Sequence, residues 1–320
     1  MTTALHRIPD SDLLDAYSRA VIDVVERAGP AVVSLSVRGA PRRRRRTPEG
    51  AGSGVLVAPD GYLLTNSHVV QHGDARVILN DGTRARAQLV GDDPATDLAL
   101  LRIDGGSHAF APLAPPVQPR QGQLAIAMGN PLGFDSTVST GVVSAIGRSL
   151  RARNGRLIDS IVQHTAPLNP GSSGGPLLDS TGRILGINTA IIAFSQGIGF
   201  AVPATTAAWV VSELLAHGRV RRAWLGIAGF VRPLGRRLAR ARELTLETTV
   251  EVAEVQPNSP ASDAGLHEGD RIVAFDGTPT PTVDDLHRQL RHATPGRTVE
   301  LTLLRGTDKQ SLTITPREAG

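Results

Sequence analysis

Ser173 lies in Asn169-Pro170-Gly171-Ser172-Ser173-Gly174-Gly175-Pro176, a stretch whose residue types suit a nucleophile. Glycines on both sides open backbone conformations closed to other residues and let amides approach a substrate carbonyl, while Pro170 and Pro176 stiffen the turn. Two of those amides, from Gly171 and Ser173, can converge on one oxygen. Preorganised donors of this kind stabilise a tetrahedral intermediate, and losing one costs about 3 to 4 kcal/mol of barrier. A plain Gly/Ser/Pro surface turn has the same composition, so Ser173 needs a base elsewhere, and the base needs a carboxylate. His68, in Thr65-Asn66-Ser67-His68-Val69-Val70, and Asp97, in Asp93-Pro94-Ala95-Thr96-Asp97-Leu98, supply those two types. A neutral imidazole takes the hydroxyl proton; the carboxylate holds one tautomer and steadies the imidazolium that forms. The chemistry is acyl transfer, with the His68 ring expected about 2.6 to 3.2 Å from the Ser173 oxygen, and it asks for no cofactor.

The elements that must position these groups are strands. Gly (34) and Pro (22) punctuate many short Val/Ile/Leu runs in a chain of 320 residues with 40% hydrophobic content, which favours β architecture and about two domains. After a helix over residues 11 to 28, capped by Ser11, come strands at Val32 to Val37, Gly52 to Val57 and Gly61 to Thr65, the last two a hairpin through Pro59-Asp60-Gly61. Further strands are expected at 76–79, 84–90, 98–102, 124–127, 141–146, 161–163, 184–187 and 199–202. His68, Asp97 and Ser173 each fall in a loop beside one of them, in the chain order of the chymotrypsin-type triad. The texture changes at Pro203. A helix over Ala204 to His217, closed by Gly218, leads to the basic piece Arg219 to Arg222 and then to a small α/β module. Its expected elements are a short helix at 236–243, strands at 249–255, 271–275 and 299–305, and a helix at 283–292. The domains expected are a helical segment (1–30), a β domain (31–203), a helical linker (204–222) and the α/β module (223–316).

Composition removes several classes. The net charge of +4 is modest and rests on arginine, Lys309 being the only lysine, so no nucleic-acid binder is indicated. The run Arg42 to Arg46 between Pro41 and Pro48 reads as a solvated loop rather than a phosphate site. Zero cysteines exclude disulfides and thiolate catalysis. His72, four residues after His68, suggests a metal pair, but Val69 stands where HExxH needs Glu, so no metal is expected. There is no 18-residue apolar run to span a membrane. Asp10, Asp12 and Asp15 fall where the apolar core of a leader would lie, so the location expected is cytoplasmic, with the periplasm or cell envelope as the alternative for a trimmed chain.

The blocks Thr65 to Val70, Asp97 to Ile103, Gly129-Asn130-Pro131, Gly141 to Arg148, Asn169 to Leu178, Gly186 to Ala190 and Gly197 to Pro203 resemble the HtrA/Deg family of trypsin-like serine proteases. Asn258 to Leu266 with Glu268 to Ile272 is similar to that family's PDZ domain. The resemblance covers about residues 20 to 316. It implies a mostly β fold: two six-stranded barrels with the triad between them, then a small α/β PDZ domain. It also implies an ATP-independent endopeptidase acting on unfolded or damaged proteins, with His68 the general base, Asp97 its orienting carboxylate, Ser173 the nucleophile and Gly171 with Ser173 the oxyanion amides. Leu225-Gly226-Ile227 matches the loop that accepts a peptide C-terminus, and Arg148 matches an arginine that in some relatives couples the PDZ domain to the active-site loops. Relatives assemble as trimers, and Tyr17 is a candidate contact. The pocket walls implied are Pro167, Ile198, Gly199 and Phe200. Ser172 replaces the usual Asn, Thr165 the usual Asp, Pro167 a small residue, and Ala223 the Gly before Trp224. Without a carboxylate at the pocket base, the expected P1 residue is aliphatic or small, and selectivity is loose. Thr165 and Pro167 also motivate a second reading, a peptide-binding chaperone with a resting catalytic site.

Overall fold

Val33, Leu35 and Val37 are fully buried along β1 (Val32–Gly39), and on β6 (Leu98–Ile103) every residue but Arg102 is fully buried, so β6 is covered on both faces. Fully burying a leucine such as Leu100 or Leu101 contributes about 1.5 to 3 kcal/mol, which makes these strands the anchors of the first barrel. The computed structural model describes residues 15–39, 50–70, 73–113, 118–130, 137–151, 157–191 and 197–318. The chain divides into two compact units, Met1–Val220 and Arg221–Gly320.

The first unit holds two closed barrels. One is built from β1, β2 (Gly50–Leu56), β3 (Tyr62–Thr65), β4 (Gly73–Ile78), β5 (Arg84–Asp93) and β6, in the order β1-β2-β3-β6-β5-β4, closed by antiparallel pairing of β1 with β4. The other is built from β7 (Leu124–Gly129), β8 (Thr137–Arg151), β9 (Leu157–His164), β10 (Pro176–Leu178), β11 (Ile184–Ile191) and β12 (Gly199–Pro203), in the order β10-β11-β12-β9-β8-β7, closed by β10 with β7. The expected double barrel is therefore the observed one. All its expected strands but β3 run longer than the sequence runs suggest, and the three-residue β10 was not expected.

Helix α1 (Ala16–Ala28) begins at Asp15, whose carboxylate accepts the Ser18 amide at 2.7 Å. The cap expected at Ser11 lies outside the described residues. Val24 and Ala28 are buried and Val21 and Val25 pack beside them, while Tyr17 is half exposed and its hydroxyl meets that of Thr140. After α2 (Ser67–Val70), helix α3 (Ala204–His217) ends at Gly218, left-handed at φ 69°. It packs onto the barrels through Ala204, Ala207, Val210 and Leu214, and a Cβ on Gly91 of β5 would lie 2.6 Å from the Gly218 carbonyl.

The second unit opens with the short β13 (Ala223–Trp224), and its sheet is ordered β14-β15-β16-β18-β19, with β14 (Ile227–Pro233) at one edge, β15 (Thr248–Val255), β16 (Arg271–Phe275), on which the short β17 (Thr278–Pro279) pairs, β18 (Val299–Arg305) and β19 (Asp308–Ile314). Helices α4 (Arg236–Ala241), α5 (Pro260–Asp263) and α6 (Val283–His292) complete it. Leu286 and Leu290 of α6 join Val250, Val252, Ile272 and Leu301 in its core. Arg305 grips the nearly buried Asp270 carboxylate at 2.9 and 2.7 Å. Burial alone would raise the Asp270 pKa, but the hydrogen bonds from Arg305 and the His267 amide hold it below the usual value. No helix among the described residues is long and apolar enough to cross a membrane.

Candidate active site

Asp97 closes the turn before β6 in a left-handed conformation, φ 57°, which an aspartate tolerates better than most residues. Asp93 shapes that turn: its carboxylate accepts the Thr96 hydroxyl at 2.5 Å and the Ala95 amide at 3.3 Å. The Asn66 side chain then donates to the Asp97 carbonyl at 2.9 Å. So held, the Asp97 carboxylate faces α2 and accepts from the His68 backbone amide at 3.0 Å. The His68 ring Nδ1 lies 2.9 and 2.8 Å from its two oxygens. That contact places the proton on Nδ1 and leaves the Nε2 lone pair free to act as a base. The Thr189 hydroxyl of β11 donates to Oδ2 as well. His68 is 36% exposed and Asp97 13%, so the ring is open to a substrate while its carboxylate is largely shielded.

The loop that carries Ser173 is fastened from several sides. Asn169 to Ser172 form a turn closed by the Ser172 amide on the Asn169 carbonyl at 3.0 Å, with Pro170 at its second position and Gly171 at φ 92°. A proline followed by a positive-φ glycine makes a type II turn, and this fixes the direction of the Gly171 amide. Among the described residues, the Gly171 and Ser173 amides donate to no protein acceptor, which leaves both available for an oxyanion. Ser53, on β2 of the first barrel, ties the loop down. Its hydroxyl donates to the Gly171 carbonyl at 2.6 Å and accepts the Asn130 amide at 2.8 Å, and its own amide donates to the Ser173 carbonyl at 2.8 Å.

Ser173 Oγ donates to the Thr189 carbonyl at 3.2 Å. No hydrogen bond joins it to His68 among the described residues. Thr189 thus touches both halves of the group, its hydroxyl on Asp97 and its carbonyl under Ser173. Sequence reasoning missed Thr189, Ser53 and Asn66. The signal for Thr189 was its place in Gly186-Ile187-Asn188-Thr189-Ala190; Ser53 and Asn66 carry none beyond adjacency to Gly52-Ser53-Gly54 and His68.

The remaining expected residues are more scattered. Pro167 is exposed and its carbonyl accepts the Ser139 hydroxyl at 2.5 Å; Thr165 is exposed and its hydroxyl accepts the Val142 amide at 2.9 Å. Ile198 is half-buried, and Gly199 and Phe200 are buried on β12, in register with His164 and Gln163 of β9. Arg148 lies on β8 opposite Ile161. In the second unit, Leu225 is buried, Gly226 sits at φ 82° and Ile227 opens the edge strand β14. A Cβ on Gly226 would come within 2.2 Å of the Ser259 Cβ. The Leu225 and Gly226 carbonyls are taken by the Ala261 and Gln256 amides at 2.9 and 2.8 Å, which turns the loop's own amides outward. Arg42 to Arg46 and His72 lie outside the described residues. Among the described residues no group of three or more His, Cys, Asp or Glu is placed to hold a metal.

Residues 52–187 match the trypsin-like peptidase domain and residues 233–315 the PDZ domain. Among solved structures, the chain is similar to the serine endoprotease from Yersinia pestis, with TM-score 0.75, 33% identity and coverage of 94% of this chain and 98% of that one. It is also similar to the HtrA-type protease AlgW with tripeptide, with TM-score 0.81, 35% identity and coverage of 94% and 97%. The chain belongs to the HtrA family of trypsin-like serine proteases. A probable periplasmic serine endoprotease, DegP-like, from Brucella suis biovar 1 is 39% identical over 281 residues, covering 86% of this HtrA-family chain and 54% of the relative. A relative of the same description from Rhizobium meliloti is 38% identical over 282 residues, covering 87% and 55%. The chain therefore spans about half the length of these curated relatives. Their names also correct the expected cytoplasmic location: both are named as probable periplasmic endoproteases, which points to the periplasm rather than the cytoplasm. The acidic residues Asp10, Asp12 and Asp15 carried no physical information about compartment, because a folded domain has the same chemistry on either side of a membrane.

Proposed function

We propose that this HtrA-family chain is an ATP-independent serine endopeptidase that cleaves unfolded polypeptide by acyl transfer, and that it works as a homotrimer. The observation that carries the reading is the Asp97 carboxylate, gripped by the His68 backbone, the His68 ring and the Thr189 hydroxyl, beside a nucleophile loop with two free amides. Ser173 attacks the scissile carbonyl while His68 Nε2 takes its proton. The Gly171 and Ser173 amides hold the oxyanion, and His68 returns the proton to the leaving amine. A second water-driven cycle frees the acid. For attack, the Ser173 hydroxyl must swing from the Thr189 carbonyl to His68, a side-chain rotation of the kind that catalytic groups often complete only with substrate bound.

Incubation with casein tests this directly. The wild type should cut it without ATP, and Ser173→Ala should retain only a residual rate, about 10³ to 10⁴ over water. Cleavage that survives Ser173→Ala would sink the assignment. The Ser173-to-Thr189 hydrogen bond also favours a second reading, a chaperone whose site rests; labelling of Ser173 by a fluorophosphonate in the absence of peptide would dispose of it.

The PDZ unit is proposed to take peptide C-termini, the carboxylate on the Leu225, Gly226 and Ile227 amides and the peptide strand along the free edge of β14. Hydrogen bonds to a charged group are worth about 1.5 to 3 kcal/mol, so amidating a hydrophobic test peptide should weaken its binding about ten- to hundredfold. Fluorescence anisotropy measures this, and equal affinity for acid and amide would refute the placement.

A further inference from the structure

His164, at the end of β9, is fully buried, and neither ring nitrogen has a hydrogen-bond partner among the described residues. Polar atoms buried this way are few in native proteins, and each one calls for an explanation. The ring packs against Gly199 of β12: a Cβ there would come within 2.4 Å of Cε1 and 2.8 Å of Nε2, so only glycine leaves room for it. Asn188 of β11 is equally buried, and its Oδ1 is likewise unpartnered. Asn188 is not an ordinary neighbour. Its carbonyl accepts the Gly174 amide at 2.8 Å, its amide donates to the Gly175 carbonyl at 2.9 Å, and its side-chain nitrogen donates to the Pro176 carbonyl at 3.0 Å. The following residue is Thr189, which holds Asp97 by its hydroxyl and Ser173 by its carbonyl. A disturbance at Asn188 therefore reaches the nucleophile loop and the His68–Asp97 pair through one peptide unit.

We propose that His164 is a positioning residue of the catalytic site: its neutral ring, wedged between Gly199 and Asn188, keeps β11 seated under Gly174–Pro176, and protonation of the ring releases that seat. The inference rests on the acyl-transfer reading of Ser173. A charged imidazole at this place would find no ionised group to pair with. On the elements around it, the described residues of β8 up to Gly147, all of β11 and β12, and residues 165–170 carry no acidic, basic or other ionisable side chain. Burial accordingly lowers the His164 pKa from its ordinary 6.5 to about 4, against weaker raising effects from the Ala166 backbone and Asn188. The sign follows from linkage. A histidine whose pKa falls on seating gives full stability to the seated arrangement above pH 6.5 and loses it as the pH drops toward 4. A released β11 loses Thr189 from both Asp97 and Ser173, so the protease shuts off while the barrel stays folded.

The test is the rate of Ser173 labelling by a fluorophosphonate in the full chain, followed from pH 8 to pH 4 beside thermal unfolding, for wild type, His164→Gln and His164→Ala. Glutamine can hydrogen-bond Asn188 but does not titrate. Loss of activity through a single protonation gives an acid limb of at most about tenfold per pH unit. The wild type is expected to fall more steeply than that below pH 6.5, and His164→Gln to follow the single-proton slope while keeping most of the rate at pH 8. His164→Ala should lower the maximum labelling rate about tenfold or more with little change in the probe concentration giving half-maximal rate, as expected for misplacement of catalytic groups rather than lost binding. Superimposable pH profiles for wild type and His164→Gln would overturn the proposal, as would a His164→Ala variant altered only in melting temperature. Should His164→Ala fail to fold, the glutamine comparison decides. Absence of labelling of wild type at every pH would overturn the protease reading itself, and this inference with it.

Discussion

Asp97→Asn is expected to lower kcat by about four orders of magnitude with the barrel intact, on the precedent of the same exchange in a serine protease triad. Asparagine matches aspartate in size, so the left-handed turn and the Asn66 contact to the residue 97 carbonyl survive. What changes is the proton inventory around the side chain. The carboxylate accepts at once from the His68 backbone, the His68 ring and the Thr189 hydroxyl. An amide offers one acceptor oxygen and an NH₂ group that only donates. Turned toward the ring, that NH₂ imposes the opposite tautomer, with the proton on Nε2 where the Ser173 hydroxyl needs a lone pair. The measurement is burst and steady-state kinetics on a chromogenic peptide beside a melting curve. A loss of less than tenfold in kcat would show that Asp97 does not orient the base.

The second large effect is expected from Gly174→Ala. Gly174 sits at φ 88°, and a Cβ there would fall 2.1 Å from the Ser53 carbonyl oxygen and 2.3 Å from the Thr65 hydroxyl. Left-handed strain costs about 1 to 2 kcal/mol, and overpacking a tight site adds about 1 to 3 kcal/mol. The variant should therefore lose about 2 to 5 kcal/mol and melt several degrees lower. Labelling of Ser173 should drop by about a hundredfold, because a displacement near 1 Å has that cost in a preorganised site. Gly82→Ala separates the two contributions. Gly82 is left-handed too, φ 83°, but a Cβ there meets nothing within 4 Å, so this variant should show the strain alone and full activity. Equal destabilisation of the two variants would mean that the contact with Ser53 is not a constraint.

Much of this was legible in the sequence, and for identifiable reasons. Helix α3 was placed from Ala204 to His217 because Pro203 and Gly218 punctuate it, and Gly218 does adopt the left-handed cap. The strands Arg271–Phe275 and Val299–Arg305 and the helix Val283–His292 likewise run where apolar periodicity puts them. β10 was not legible, since three residues between Gly175 and Asp179 show no period. Nor was the full length of β8, which runs through Gly141 and Gly147 because the first packs against Ala166 and the second stands at φ 68° in an irregular ladder. β14 reads Ile-Ala-Gly-Phe-Val-Arg-Pro, with glycine and proline that an interior strand would reject, and both are accommodated because it is an edge. In the site, His68 and Asp97 were found by chemistry. Thr189, Ser53 and His164 could not be found that way, since a threonine, a serine and a lone histidine acquire their roles only from what the fold sets beside them.

Ser53 belongs to one barrel, and the three groups it engages, Gly171, Asn130 and Ser173, belong to the side of the unit that carries the other. Prising the barrels apart would therefore strip the loop from Gly171 to Ser173 of its tether. Partial unfolding and loss of the arrangement around Ser173 become one event, so on the proposed reading a half-open copy would lose its cutting site rather than keep it.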